Sequence, residues 1–540
     1  MLAGTFRDRR FPRLARRRRR GAAGCRAARR DRQPGGGQPD ASAVEASMSS
    51  TSSSTIYRGA EVVLGDPRDR DVRRVDIEVR DGIISRIGPD LEAGPGTDVV
   101  DVSWAWIMPG MVDSHHHLWQ ATMRAVTANF TLDEYFWTIR RNHSLRHRAV
   151  DIYNGTLGGA AGMLDAGITA TVDFSHCILT PEHADAGIEA FRESGIRGVW
   201  CYGFYDPPLD EPWFTTPEQR YADARRVRSQ HFPSDDDHVR FGVALTEMGR
   251  ASLEQVADEF RTGRELNALV HAHTNTRYHA GGQPSDIRRW HDAGLIWEGQ
   301  LHSHCNTSDA EDLKILADAG CAVSSTPETE LGMGIGHIVV RAADRAGVTT
   351  GLGSDIQSNN GPDLFAVMRL AMSAERHRYH QPVIETAGTS GLDGVALRTE
   401  DVLHFATLGS ARGLGLGDVC GSIEVGKAAD LVFIRTDTPR LRAAAHVIDA
   451  IVMQVTVADV DTVLVGGRPV KTNGRLDPRL SAKAIAALDE SAVWIRKEAE
   501  KAGGLWPEMP SWMGTPAEHR LSNSGVERRP VRQTRDRQGA

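Results

Sequence analysis

The chain reads as an α/β protein built on a (β/α)8, TIM-like barrel, with short β-strands ahead of it and behind it. Three observations carry that reading. Between about residues 108 and 415, eight short apolar runs alternate with stretches of helical texture. The flanking runs are shorter, tend toward period-two alternation and are broken by Gly, Pro and Asp turns. Histidines and one aspartate follow directly on several of the apolar runs, which is where a barrel of this kind carries its chemistry.

Taken in order, residues 1–50 are an Arg-rich segment that cannot bury a core and is expected to be disordered. The alternatives for Arg16 to Arg20 are a targeting peptide and a nucleic-acid or acidic-surface tail. The favoured reading is upstream translated sequence, with Met48 opening the native protein. Residues 55–107 supply strands at 55–58, 75–79 and 83–87. The barrel, 108–415, takes strands at 106–108, 167–172, 198–201, 239–244, 268–271, 299–302, 322–324 and 348–352. Strands return within 416–475, at 429–434, 455–457 and 461–465. The last part, 476–540, is a helix over 480–501 and a polar tail; Ala482, Ile485, Leu488, Ala492 and Ile495 form the helix's apolar face.

Composition narrows the class. With 40% hydrophobic and 25% charged residues, the 540-residue chain can hold one large barrel and a smaller domain. No apolar window is long enough to span a bilayer, so no membrane association is expected. Six scattered cysteines without a Cys-x-x-Cys pair suit a reducing, cytoplasmic setting. The net charge of −7 conceals thirteen arginines against four acids in residues 1–47, which leaves −16 on the rest. So acidic a body argues against a nucleic-acid-binding domain.

The most informative run is Met108-Pro109-Gly110-Met111-Val112-Asp113-Ser114-His115-His116-His117. His115 and His117 are two apart and project to one side of a strand, which makes half of a divalent-metal site. His271 and His273 repeat the spacing on strand five, and His302 and His304 on strand six, while strand eight ends on Asp355. Three or four imidazoles and a carboxylate converging from four strands point to a metal-dependent enzyme.

The Pro109–His117 run resembles the first-strand signature of the amidohydrolase superfamily, Pro-Gly-x-x-Asp-x-His-x-His. The segment 421–431 is similar to the sequence with which these proteins leave the barrel. The resemblance covers roughly residues 55–475 and implies that the flanking strands, 55–107 and 416–475, pair into one composite β-sandwich. His304-Cys305, Leu352-Gly353-Ser354-Asp355 with Asn359-Asn360, and 406–411 look most like the branch holding cytosine deaminase, guanine deaminase and chlorotriazine hydrolase.

That resemblance implies one divalent ion, Zn²⁺ or Fe²⁺, held by His115, His117, His273 and Asp355, with His271 as the alternative strand-five ligand. Asp355 would also be the general base and His304 would orient water or stabilise the tetrahedral intermediate. Strand four has no lysine to bridge a second metal, and Glu247 there is expected to be structural. The branch's deaminases carry a glutamate three residues after the strand-five histidine; here Thr276, or Thr274 counted from His271, occupies that place. Glu328, Glu330, His176 and His271 are the candidate replacements, and Trp119 and Gln120, with Phe136 and Trp137, are candidate contacts for a flat ring.

The expected activity is hydrolysis of a non-peptide carbon–nitrogen bond, an aminohydrolase of a cyclic small molecule. Displacement of chloride or a substituted amine is the enzymatic alternative. A non-catalytic scaffold is disfavoured because such relatives usually lose the ligands kept here. Family analogy implies a homo-oligomer.

Overall fold

Two sheets organise the chain in the computed structural model, which describes residues 54–277, 284–388 and 392–510. The Arg-rich segment of the first 50 residues and the tail beyond residue 515 lie outside the described residues. The first sheet takes its strands from both ends of the described chain. From the amino-terminal part come β1 (Ser54–Val63), β2 (Val72–Arg80), β3 (Ile83–Gly88), β4 (Thr97–Asp101) and β5 (Ala105–Pro109). The second sheet is the barrel: β6 (Met111–His116), β7 (Ile168–Ser175), β8 (Arg197–Gly203), β9 (Val239–Ala244), β10 (Leu269–Thr274), β11 (Leu301–His304), β12 (Ala322–Ser325) and β13 (Thr349–Leu352). Then β14 (Leu431–Arg435), β15 (Val460–Val465), β16 (Arg468–Thr472) and β17 (Arg475–Leu476) return to the first sheet, whose order is β17-β16-β15-β14-β5-β1-β2-β3, with β4 also on β1.

The central pairing of that sheet is β5 against β14, antiparallel from Ala105↔Arg435 to Pro109↔Leu431. This corrects one expectation: residues 106–108 are not barrel strand one but a strand of the composite sheet. Apolar residues lie on both sides of Pro109-Gly110, so the sequence does not mark the crossing. The structure does: Gly110 N donates to Asp430 O, and the next amide, Met111 N, donates to Gly167 O beside β7. A Cβ on Gly110 would stand 2.0 Å from Thr169 Oγ1, so the chain changes sheets at a residue that has to be glycine.

The eight barrel strands are parallel and adjacent in chain order. Val112, Ala170, Val172, Phe174, Val199, Cys201, Ala244, Leu301 and Ala322 form a buried cluster from alternate strand positions, filling the barrel as packed core. β13 meets β6 through the bridge His116↔Asp355, with Asp355 N donating to His115 O and His117 N to Asp355 O, both at 2.9 Å.

The carboxy-terminal helix, Pro478–Lys501, packs on Ala149–Asp165. Its buried face is Ala484, Ala487, Ser491, Ile495 and Ala499, and Ile485 is 59% exposed, so the apolar face read from the sequence is rotated. The cause is polar. Ser491 donates to Asp151 and accepts from Asn154, and Leu488 occupies the space that a Cβ on Gly158 would fill. Among the described residues no helix is long and apolar enough to cross a membrane.

A buried ion pair ties sheet to barrel. Arg197 at the start of β8 holds Asp430 through Nε at 2.7 Å and a second nitrogen at 3.2 Å, and Gly466 N donates to the same carboxylate. Removing one member of such a pair strands the other charge. Asp430→Ala is expected to lower unfolding free energy by about 3–5 kcal/mol, read by denaturant titration. A loss below about 1 kcal/mol would show the pair to be dispensable.

Candidate active site

Above the packed core, at the carboxyl ends of the strands, five polar side chains face one another. His115 and His117 leave β6, His273 lies on β10, His304 ends β11 and Asp355 follows β13. Two overlapping sets bring their ligand atoms within 4.8 Å: His115, His117 and Asp355, and His115, His273 and His304.

Each imidazole has its Nδ1 side occupied, which settles where the other nitrogen's lone pair is free. His117 Nδ1 donates to Phe174 O at 2.8 Å. His273 Nδ1 donates to Glu247 Oε1 at 3.1 Å, and His304 Nδ1 faces Glu330 Oε1 at 3.3 Å and Thr326 Oγ1 at 3.1 Å. His115 Nδ1 meets Ser303 Oγ at 2.9 Å and His271 Nε2 at 3.0 Å, and the same hydroxyl lies 2.6 Å from His271 Nε2. His271 therefore stands behind His115, not beside His273. Such outer hydrogen bonds fix tautomer and ring direction in histidine metal sites.

The inner atoms fit a divalent cation. His115 Nε2 is buried without a hydrogen-bond partner and lies 3.4 Å from Asp355 Oδ1; His117 Nε2 lies 3.5 Å from the same oxygen. Ligands about 2.0–2.1 Å from a tetrahedral ion are separated by about 3.4 Å. Burial first, then the neighbouring imidazoles, hold His115 well below its ordinary pKa, and burial does the same at His117, so both offer neutral nitrogens. Asp355 ionises below the usual range: burial opposes this, but His304, His117 and the Thr329 hydroxyl at 2.6 Å outweigh it. His304 moves the other way. Burial lowers its basicity, yet Glu330 and Asp355 carry it above the ordinary histidine value.

Several supporting residues stand inside the quoted motifs, where the sequence assigns them no role of their own. Asp113 takes the His115 amide on one oxygen and the Ser354 amide and hydroxyl on the other, bridging β6 and the end of β13. Its burial pushes its carboxyl up to about 7. His116, the spacer, runs a separate chain, with Gln357 Nε2 against its Nε2 and Ser354 Oγ against its Nδ1. A Cβ on Gly353 would stand 2.7 Å from His115 O, so the seam requires its absence.

A narrow cleft opens onto His117, His273, His304 and Asp355. Leu132, Tyr135, Phe136, Met333, Ile335 and Ile356 line it, with Arg140, Glu247 and Thr276 as its other polar groups. The expected contacts divide here. Phe136 lines the cleft, but Trp119 and Gln120 are fully buried behind it, Trp119 donating to His176 and Gln120 bonded to Tyr135 and Ser358. His176 stacks on His117 with ring centroids 4.1 Å apart. Glu330 is fully buried and spends its oxygens on Ser325, Thr326 and His304, so it supports His304 and does not reach the cleft. Glu328 is not among the lining residues; burial and then Asp363 push its carboxyl up to about 7. Glu247, expected to be structural, lines the cleft. Thr276 lines it too.

Known proteins resemble the chain over this whole arrangement. The amidohydrolase family matches residues 106–470. The 5-methylthioadenosine/S-adenosylhomocysteine deaminase of Pyrococcus furiosus is 27% identical over 78% of this chain and 95% of its own length. The 5'-deoxyadenosine deaminase of Methanothermobacter thermautotrophicus is 26% identical over 78% and 94%. Among solved structures, a zinc-bound adenosine deaminase from Xanthomonas campestris aligns with a TM-score of 0.71 at 23% identity, covering 82% of this chain and 98% of that one. The zinc complex of atrazine chlorohydrolase from Arthrobacter aurescens aligns at 0.67 and 22%, covering 80% and 100%. At these identities the two structures establish the shared fold.

The Glu330–His304 pair gives a direct check. In metal-free protein Glu330→Gln is expected to move the His304 titration to lower pH, followed by NMR of its ring protons, because the charge that favours the imidazolium is gone. An unmoved midpoint would mean that Glu330 does not set the protonation of His304.

Proposed function

The chain belongs to the amidohydrolase family, and we propose that it is a metal-dependent aminohydrolase that replaces an exocyclic amine on a nitrogen heterocycle with water. The observation that carries the proposal is the convergence of the His115 and His117 Nε2 lone pairs on Asp355 Oδ1 in a buried, hydrogen-bonded frame. We assign His115, His117, His273 and Asp355 to one divalent ion, zinc or iron. Imidazole and carboxylate suit both metals. When bound there, the cation supplies Lewis acidity and a nucleophile from water at neutral pH.

The protein's own groups do the rest. Thr329 holds Asp355 through Oδ2, and the oriented carboxylate is the group that takes the proton of the attacking water. His304, kept basic by Glu330, stands ready as an imidazolium to donate toward the oxygen or nitrogen that gains charge as the ring carbon becomes tetrahedral. Glu247 fixes His273. The apolar walls from Phe136, Met333, Ile335 and Ile356 suit a flat ring and exclude bulk water. The deaminase names of the relatives support ammonia as the leaving group. Thr276 at the position of the branch's glutamate favours a second reading, in which chloride or a substituted amine departs without a carboxylate proton shuttle.

Purified protein is expected to hold about one ion per chain, and His117→Ala with Asp355→Asn to hold none, measured by elemental analysis. Two ions per chain would require a bridging ligand outside this set. Across a screen of amino- and chloro-substituted purines, pyrimidines and triazines, ammonia release supports the first reading and halide or alkylamine release the second. With the substrate found, Asp355→Asn alone is expected to lower kcat about 10²- to 10⁴-fold. Metal-loaded protein inert toward every member would refute both readings.

A further inference from the structure

One group in the cleft takes no part in the steps above. Arg140 belongs to the wide π-helical segment Phe136–His143 and is 2% exposed. Nη1 donates to Glu247 Oε1 at 2.9 Å, whereas Nη2 is buried with no hydrogen-bond partner. The guanidinium carbon stands 4.2 Å from the centre of the Tyr205 ring and 5.6 Å from that of Phe136, a cation–π frame that fixes its plane. Arg250 joins it: its guanidinium carbon is 4.2 Å from the Phe136 centroid, and its Nε is 3.6 Å from Glu247 Oε2. Arg277 also approaches Phe136, but Asp133 pairs with it. Both guanidiniums therefore share the Glu247 carboxylate, and Arg140 Nη2 is left over.

A buried cation with an unsatisfied donor is costly unless something compensates it. Nothing in the proton chemistry of the reaction needs Arg140, and a planar, aromatic-framed guanidinium is suited to an oxyanion. We propose that this corner binds an oxyanion carried by the substrate, with Arg140 Nη2 as the donor and Arg250 beside it. The substrate class is thus a flat heterocycle bearing a carboxylate, or one whose own ring oxygen is ionised. The word "substrate" rests on the hydrolase reading; the anion site itself does not.

The test is equilibrium binding to the metal-loaded full chain by calorimetry, with two matched pairs of probes. Benzoate against benzamide represents the carboxylate, and barbiturate against uracil represents the ionised ring oxygen. At least one anion is expected to bind tenfold or more tightly than its neutral partner. The stronger of the two preferences assigns the source. Arg140→Met, with its metal content intact, is expected to reduce that preference to about onefold. Should it fail to fold, Arg140→Lys keeps a cation for Glu247 and is expected to weaken the preferred anion at least threefold by losing the planar fork. Equal binding of anion and neutral partner, or a preference that survives in the variants because the anion sits on the metal, overturns the proposal. Anion binding through Arg140 without turnover of any heterocycle would keep this inference and discard the hydrolase reading.

Discussion

Closing the barrel and building the site are one event in this protein, because the β6–β13 seam carries both. The seam bonds pass through the backbones of His115, His117 and Asp355, so the residues that complete the cylinder are those whose side chains converge. Asp355 reaches this place in the left-handed region, with φ of 62°, and His304 with φ of 73°. Side chains other than glycine seldom rest there unless their surroundings over-determine it. Here they do. Asp113 clamps both sides of the seam, Gly353 leaves room for His115, and Ser354 is held by Asp113 and His116.

Dryness makes that geometry effective. His115, His271 and Glu330 are fully buried, and His304 and Asp355 are nearly so. In such surroundings a neutral imidazole is the stable form, and an ionised carboxylate needs partners. The protein supplies each with a specific neighbour: a carbonyl for His117, a hydroxyl for His115, Glu247 for His273 and Glu330 for His304. The protonation pattern is therefore written into the second layer of residues. That layer reaches from β7 through the segment after β9 and through β11 to the helix Pro327–Gly332.

Much of this was legible in the sequence. Period-two pairs of histidines and a terminal aspartate are visible because strand geometry forces ligands into those spacings. The barrel's alternation is visible because parallel strands buried on both faces must be apolar runs. Other features left no local trace. The sheet change at Gly110 lies within an unbroken apolar stretch, and only the partner strands β7 and β14 distinguish its sides. The burial of Trp119 and Gln120 depends on how the Leu118–Met123 turn packs against Ala149–Asp165. Glu330 follows a strand in sequence, but the helix Pro327–Gly332 directs it to Ser325, Thr326 and His304. Arg140 sits in no motif; its meaning comes from Glu247, Tyr205 and Phe136, which lie in three different segments.

The replacement of a carboxylate by Thr276 and the buried charge on Arg140 bear on each other. A glutamate at position 276 would enter the same cleft as Glu247 and the guanidiniums of Arg140 and Arg250. It would then offer Arg140 a second carboxylate beside Glu247. With threonine there, Arg140 Nη2 keeps no partner, and the ring or its substituent is left to bring the negative charge. A substrate that is itself anionic also places electron density where a proton must be accepted on the way to the leaving group, so the shuttle has less to do. On this view the threonine is not a lost catalytic residue but one half of an exchange, in which charge has moved from the wall of the cleft to the molecule that enters it.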